Sequence, residues 1–288
     1  MDHRLENKQI SRRIIPLQKC EGDSGTLFNA YILKEPKSGM YYVQIEEKAP
    51  HHALFDFVSK EYLESRFYKI TSTNVNLVRQ LGLNKEMLLS GSPKHPDDIS
   101  MTQVERNFLF NFIKKIAPRK IMEFSPFHGF STLTICNALT EISIRPDFFE
   151  THEINKENVR LTNYHLYEND IDFVKVVEGD VFQTLDKEKL KEVDFLLIDS
   201  DHSGEFAERY IEEFFPLLKD GCWVAIHDMS ADWYFESDER VGVLKYLNDN
   251  NVDDFFHIAD LMKIYQIVDD TFIYSQSRNT LLFWRVKK

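Results

Sequence analysis

Cysteine is scarce in this 288-residue chain, with three at Cys20, Cys136 and Cys222. An odd, scattered set without CxxC spacing excludes a cysteine-built metal site and a disulfide framework. Long apolar runs are missing too. None approaches the ~20 residues that span a bilayer, and the opening Met-Asp-His-Arg-Leu-Glu lacks the apolar stretch of a signal peptide. These absences set the expectation of a soluble chain in a reducing, cytoplasmic setting with no membrane partner. No internal repeat or low-complexity tract interrupts the chain. Basic charge is also in deficit, with 35 Lys+Arg against 47 Asp+Glu and a formal net charge of −12. Phosphate backbones attract the opposite balance, so nucleic acid is excluded as a partner. The deficit is uneven. Residues 1–95 hold 14 basic and 11 acidic side chains, and residues 96–288 hold 21 and 36. The acidic half suits a small polar substrate handled with a cation.

What is present is concentrated in Lys120-Ile-Met-Glu123-Phe-Ser125-Pro-Phe-His128-Gly129-Phe-Ser131-Thr132. This stretch reads as a buried strand, an acidic strand end, a tight loop and a helix start. Open α/β sheets build ligand sites at this place. Gly129 permits close approach to a ligand because it has no Cβ, and the helix start offers unpaired N–H groups. Glu123 at the mouth disfavours phosphate and favours an ammonium or sulfonium ligand.

Strand and helix then alternate. A helix is expected over 131–139, a strand over 147–153 ending at Glu153, and a helix over 155–167. A strand follows over 173–177, ahead of Glu178-Gly179-Asp180. The apolar run 193–198 ends at Asp199, a helix covers 206–218, and strand 222–226 leads into His227-Asp228. A helix over 241–247 and strands over 255–261 and 280–286 complete the pattern. Nearly continuous apolar strands predict a parallel sheet covered on both faces. Each strand end delivers a polar residue to one rim.

Adjacent strand ends lie about 5 Å apart, so Asp199, His227 and Asp228 are placed to converge. Two carboxylates and an imidazole suit Mg²⁺ or Mn²⁺, and Fe²⁺ as well. The alternative is that Asp199 contacts substrate while His227-Asp228 forms a structural pair.

The loop resembles motif I of class I S-adenosylmethionine (SAM)-dependent methyltransferases. It is similar to the Glu-x-Gly-x-x-x-Gly-x-Ser-Thr form of the catechol-type, methyltransferase-24-like small-molecule O-methyltransferases, with Ser125 in place of the first Gly. The NAD fingerprint G-x-G-x-x-G is absent. The resemblance implies that Glu123, Ser125, Gly129, Ser131 and Thr132 contact SAM. It implies further that Glu153 holds the ribose hydroxyls, within a Glu-x-Asn that matches the family, and that Asp180 lies near the adenine amino group. Asp199 is assigned to the cofactor pocket and to catalysis. The family's metal ligands fall at Asp199, His227 and Asp228, where His227 departs from an all-oxygen set. His202 stands where these enzymes carry a catalytic Lys, and an imidazole can serve as the base; the alternative is a helix-entry residue. The Asn/Asp-Pro-Pro-aromatic motif of amino-methylating DNA enzymes is missing.

The implied fold is α/β, a Rossmann-like class I methyltransferase sheet of parallel strands plus an antiparallel edge hairpin, with a smaller α+β N-terminal region. The expected domains are 1–95 and 96–288. In the first, 27–33 and 40–45 form a hairpin, and 54–67 and 74–83 have helical spacing. Ser90-Gly-Ser-Pro-Lys-His-Pro96 reads as a linker, and Ser100…Gln103 as a capping box for a helix to Ile116. The N-terminal region is expected to cover the cleft or to mediate a homo-oligomer. The expected function is methyl transfer from SAM to a small-molecule acceptor, a sugar, polyketide or phenol, at a hydroxyl oxygen. The alternatives are metal-independent N-methylation and a non-catalytic SAM-binding protein. The pocket for the acceptor is expected in the N-terminal region and loop 229–240, with Trp233, Tyr234 and Phe235.

Overall fold

The computed structural model describes residues 73–93, 101–229, 238–265, 267 and 281–288, together with four strands in the first 72 residues. The chain divides into two compact units, 1–71 with 270–274 and 72–269 with 275–288. Loop residues 230–237, the expected linker end 94–96, Ser100, and 59–67 of the expected helix lie outside the described residues.

In the first unit, β1 (Pro16–Glu21), β2 (Leu27–Lys34), β3 (Tyr41–Glu47) and β4 (Ala53–Val58) form an antiparallel sheet in chain order. The expected β2–β3 hairpin is present, with Lys34 opposite Tyr41. The expected helix from Leu54 is not. Residues 53–58 pair with β3 instead, Phe57 opposite Tyr42. A short apolar run satisfies both periodicities, and the neighbouring strand decides between them.

In the second unit, three helices precede the sheet: α1 (Val75–Gln80), α2 (Glu86–Leu89) and α3 (Gln103–Ile116). Then follow β5 (Lys120–Phe124), α4 (Phe130–Glu141), β6 (Phe148–Glu153), α5 (Lys156–Glu168) and β7 (Val174–Glu178). Next come two short helices, α6 (Val181–Thr184) and α7 (Lys187–Leu190), then β8 (Phe195–Ile198), α8 (Gly204–Glu213) and β9 (Trp223–Ile226). The chain closes with α9 (Asp238–Asp249), β10 (Phe255–His257), α10 (Ile258–Ile264) and β11 (Leu282–Arg285).

The sheet order is β10-β11-β9-β8-β5-β6-β7. β9, β8, β5, β6 and β7 are mutually parallel, and β11 runs antiparallel to both β9 and β10. This is the expected Rossmann-like sheet, with one refinement: the last strand is inserted between β9 and the edge strand β10.

Alternate strand residues enter different cores. Ile121, Phe195, Leu197, Trp223 and Phe283 pack with α3, α4 and α10. Met122, Leu196, Ile198, Val224 and Trp284 pack with α8 and α9. Both faces are therefore dry, which is what continuous apolar strands require. Phenylalanine does much of the filling on the α3 side: Phe256 and Phe283 stack at 5.1 Å, and Phe112 meets Trp223 edge-on at 5.1 Å. Leu77, Val78, Met87 and Leu88 join that same core, so α1 and α2 belong to the sheet's unit and the units divide at 71/72 rather than 95/96.

Three local expectations change. The capping box of α3 is Thr102…Glu105, with the Thr102 side chain accepting from Glu105 N–H and the Glu105 carboxylate accepting from Thr102 N–H. The expected helix 206–218 ends at Glu213 and passes into a 3₁₀ turn, Phe215–Leu217, because Pro216 supplies no N–H donor. The expected strand 255–261 stops at His257, whose Nδ1 accepts the Ala259 N–H at 3.1 Å. That bond satisfies a first-turn donor, and α10 starts there.

Candidate active site

The β5–α4 loop holds three left-handed residues: Ser125 at φ 56°, Phe127 at φ 52° and Gly129 at φ 86°. Two lack glycine's freedom, at a cost of about 1–2 kcal/mol each. The loop is over-determined by its neighbours. Ser125 N–H donates to His152 O at 2.8 Å, Thr162 Oγ1 donates to Phe127 O at 3.2 Å, and His165 Nδ1 lies 2.7 Å from His128 O. Ser125 thus adopts the conformation for which a glycine would be chosen. His128 stacks on Phe127 at 3.8 Å. A Cβ on Gly129 would lie 2.9 Å from Thr162 Cγ2 and 3.2 Å from Thr162 Cα. Gly129 is therefore required by α5 packing on the loop, and not only by approach to a ligand. It also leaves α4 without a side-chain N-cap.

Glu123 is fully buried rather than standing at the mouth. Its two oxygens accept from Ser131 Oγ at 2.6 Å and Thr132 Oγ1 at 2.5 Å. Burial pushes its carboxyl up to about 7 against the opposing pull of those hydroxyl bonds. Ser131 and Thr132 are thus brought together with Glu123, as partners of its carboxylate.

Glu153 ends β6, buried, and accepts the Asn155 N–H at 2.8 Å. Asn155 in turn caps α5. Asp180 caps α6, accepting from Phe182 N–H at 2.9 Å, with Gln183 Nε2 at 3.3 Å from its other oxygen. Both carboxylates stand at the carboxyl end of the sheet. Two polar atoms beside that rim, Ser200 Oγ and His152 Nε2, are shielded from solvent and have no hydrogen-bond partner among the described residues.

The densest cluster lies at the ends of β8 and β9. Donor atoms of Asp199, His202 and Asp228 all lie within 4.8 Å of one another. His202 Nε2 is 2.9 Å from Asp228 Oδ2 and 3.9 Å from Asp199 Oδ1, and its Nδ1 is 2.8 Å from Glu239 Oε2. Burial lowers the His202 pKa, but Asp228 and Glu239 outweigh it and raise it to about 10. Both ring nitrogens of His202 thus face carboxylates. Asp228 is held at φ 54°, a left-handed conformation that aspartate tolerates better than most residues.

His227 borders this group from the buried side, its side chain 4% exposed. It is buried behind Asp199, with Nδ1 at 3.1 Å from Asp199 Oδ1 and Nε2 at 3.4 Å from Glu105 Oε1. Burial opposes its charge, but the two carboxylates win and its pKa is raised. Among the described residues the donor atoms that converge are those of Asp199, His202 and Asp228, and His227 of the expected trio stands against the two aspartates. His227 Nδ1 also lies 3.4 Å from Asp228 Oδ1, so the imidazole stands against both aspartates.

Glu105, Glu239 and Tyr210 carry this cluster and had no sequence signal tying them to it. Glu105 is fully buried at the start of α3, and it also accepts the Leu281 N–H at 3.1 Å. The Thr102-x-x-Glu105 spacing marks a helix start but not a contact with His227. Glu239 opens α9 and is fully buried, accepting from Tyr210 OH at 2.8 Å. His257 completes the surroundings. Its Nδ1 accepts a backbone N–H, so Nε2 carries the proton and donates to Met229 O at 2.7 Å, tethering the residue after Asp228.

No curated protein matches the chain. An O-methyltransferase from Bacillus cereus in complex with S-adenosylhomocysteine is 16% identical, covering 79% of this chain and 96% of its own, with a TM-score of 0.47. The O-methyltransferase TomG from Streptomyces achromogenes, involved in tomaymycin synthesis and solved with SAM, is 14% identical over 78% of this chain and 90% of its own, at TM-score 0.47. Among the described residues no helix is long and apolar enough to cross a membrane. Residues 126–229, from the motif loop through Asp228, match the Methyltransf_24 family, described as a methyltransferase domain. The region that builds the rim of this sheet is thus similar to a methyltransferase domain.

Proposed function

We propose that the protein transfers a methyl group from SAM to a hydroxyl oxygen of a small-molecule acceptor, with a divalent cation at Asp199, His202 and Asp228. The observation that carries this is the convergence of two carboxylates and one imidazole within 4.8 Å, at the ends of β8 and β9 beside the strained β5–α4 loop.

The residues fit both groups. Glu153 and Asp180 are suited to the ribose and adenine ends of SAM, and the unpaired Ser200 Oγ offers further bonding capacity at the rim. SAM supplies an electrophilic methyl carbon on a sulfonium, which an acidic rim favours. Two carboxylates and an imidazole are a donor set for Mn²⁺ or Fe²⁺, and acceptable for Mg²⁺. Such a cation lowers the pKa of an acceptor hydroxyl and orients its oxygen.

His202 is better suited to hold the cation or Asp228 than to remove the acceptor proton, since both its nitrogens face carboxylates. The sugar, polyketide or phenol character of the acceptor belongs to this proposal. So do a covering or oligomer-forming role for the N-terminal sheet and a cytoplasmic setting.

Calorimetric titration with SAM, first in EDTA and then with Mn²⁺, tests the reading. Micromolar SAM binding in both is expected, with methyl transfer to a phenol and polyol panel only when Mn²⁺ is present. Absence of SAM binding by the folded protein sinks it, and EDTA-insensitive transfer moves it to the metal-independent alternative. Glu153→Ala should weaken SAM by about 1–3 kcal/mol through lost hydrogen bonds. Equal affinity in the variant would take Glu153 out of the pocket.

A further inference from the structure

Each imidazole of the cluster has a fully buried glutamate behind it and turns its other nitrogen to the two aspartates, but they differ in exposure and in how closely the glutamate holds them. Glu105 stands behind His227, whose other nitrogen meets Asp199 and whose side chain is 4% exposed. Glu239 stands behind His202, which is 30% exposed and presents Nε2 to both aspartates. Only the second imidazole is open to a ligand. Its orientation has a cause. Glu239 Oε2 lies 2.8 Å from His202 Nδ1, its other oxygen takes the Tyr210 hydroxyl at 2.8 Å, and Glu239 N–H is bonded to His202 O. Tyr210 is itself buried in the core under α8. The glutamate is therefore fixed by a rigid element before it fixes the imidazole.

We propose that Glu239, held by Tyr210, is a positioning residue that binds the Nδ1 proton of His202 and so commits Nε2 as a nitrogen donor to a divalent cation shared with Asp199 and Asp228. The inference rests on the metal-assisted reading above. A carboxylate on the far nitrogen of a ligating histidine sets its tautomer and ring orientation and makes it a stronger donor, and losing it typically weakens metal binding 10–100-fold. The aspartates alone would leave a looser, oxygen-only pair.

The test is Mn²⁺ binding to the full chain, measured by calorimetry and by pulsed electron paramagnetic resonance. The expected wild-type signal shows ¹⁴N coupling from one imidazole, and His202→Ala removes it. Glu239→Ala should weaken Mn²⁺ about 10–100-fold and lose or broaden the nitrogen coupling. Because Glu239 is fully buried, two milder variants accompany it. Glu239→Gln keeps an acceptor for the Nδ1 proton and should restore most of the coupling. Tyr210→Phe removes only the outer hydrogen bond and should weaken Mn²⁺ a few-fold. Mn²⁺ affinity and coupling unchanged across Glu239→Gln, Tyr210→Phe and any folded Glu239→Ala would overturn the proposal, as would a wild type that binds Mn²⁺ without nitrogen coupling or not at all. SAM titration of the same proteins is a separate readout. Its loss in the wild type counts against the methyltransferase function, whereas unchanged SAM affinity with weakened Mn²⁺ in the variants supports Glu239 as the positioning residue.

Discussion

The β5 side and the β8/β9 side of the rim both bury carboxylates, but they neutralise them differently. On the β5 side Glu123 is surrounded by hydroxyls: Ser131 and Thr132 supply dipoles and no charge. Its carboxyl is consequently pushed up to about 7, and its charge is optional near neutral pH. On the β8/β9 side Glu105, Asp199, Asp228 and Glu239 alternate with His227 and His202. Charge is paired there, most tightly where Glu105, His227 and Glu239 are buried, because removing one partner of a buried pair strands the other. One side can adjust its charge when a cationic ligand arrives. The other fixes its geometry through carboxylate–imidazole pairs.

The comparison breaks most sharply at Glu105. Glu105→Ala strands His227, opens the Thr102 capping box and leaves Leu281 N–H without its acceptor. A loss of about 3–5 kcal/mol is expected, read from urea unfolding at pH 7; a loss below about 1 kcal/mol would mean that the pairing carries little weight.

Glu123→Gln tests the other side. The folded carboxyl has a pKa raised to about 7, so the native state binds more protons than the unfolded chain between the ordinary carboxylate range and about 7. The wild-type stability contribution is therefore full at low pH and is lost as pH rises through that window, by on the order of 2–3 kcal/mol. Glutamine is neutral throughout and should flatten this slope, leaving the variant relatively more stable at pH 8. Identical slopes in the two proteins, followed by denaturant midpoints from pH 4.5 to 8, would contradict the assignment.

Ser125→Gly is the smallest and the most local change. Glycine relieves the left-handed strain at φ 56° but loses more entropy on folding, so a net gain of up to about 1 kcal/mol is expected. A drop in thermal midpoint would mean that the serine side chain, and not the conformation, is what the position needs.

Much of the sheet was legible in the sequence because its strands are buried on both faces. Runs such as Phe195–Ile198 and Trp223–Ile226 leave no polar residue to confuse the periodicity. Strand-end carboxylates were legible for the same reason, since they are the first polar residues after an apolar run. Elements at the margins were less legible. Residues 53–58 carry a pattern that either helix or strand satisfies, and the pairing with β3 settled it. Residues 258–261 read as a strand's continuation, whereas the His257 side chain takes the Ala259 N–H and a helix starts there.

The chain's order of apolar and polar residues by itself determined the α/β architecture, the motif loop and the rim on which Glu153, Asp180, Asp199 and Asp228 stand. Local periodicity is enough for that, because each element answers to its own burial. Which nitrogen faces which oxygen was decided by tertiary structure alone. His202 meets Glu239 across 37 residues and His227 meets Asp199 across 28. Those bonds depend on how α3, α8 and α9 pack on the sheet, and a side chain's direction at a strand end reverses with a single residue's step.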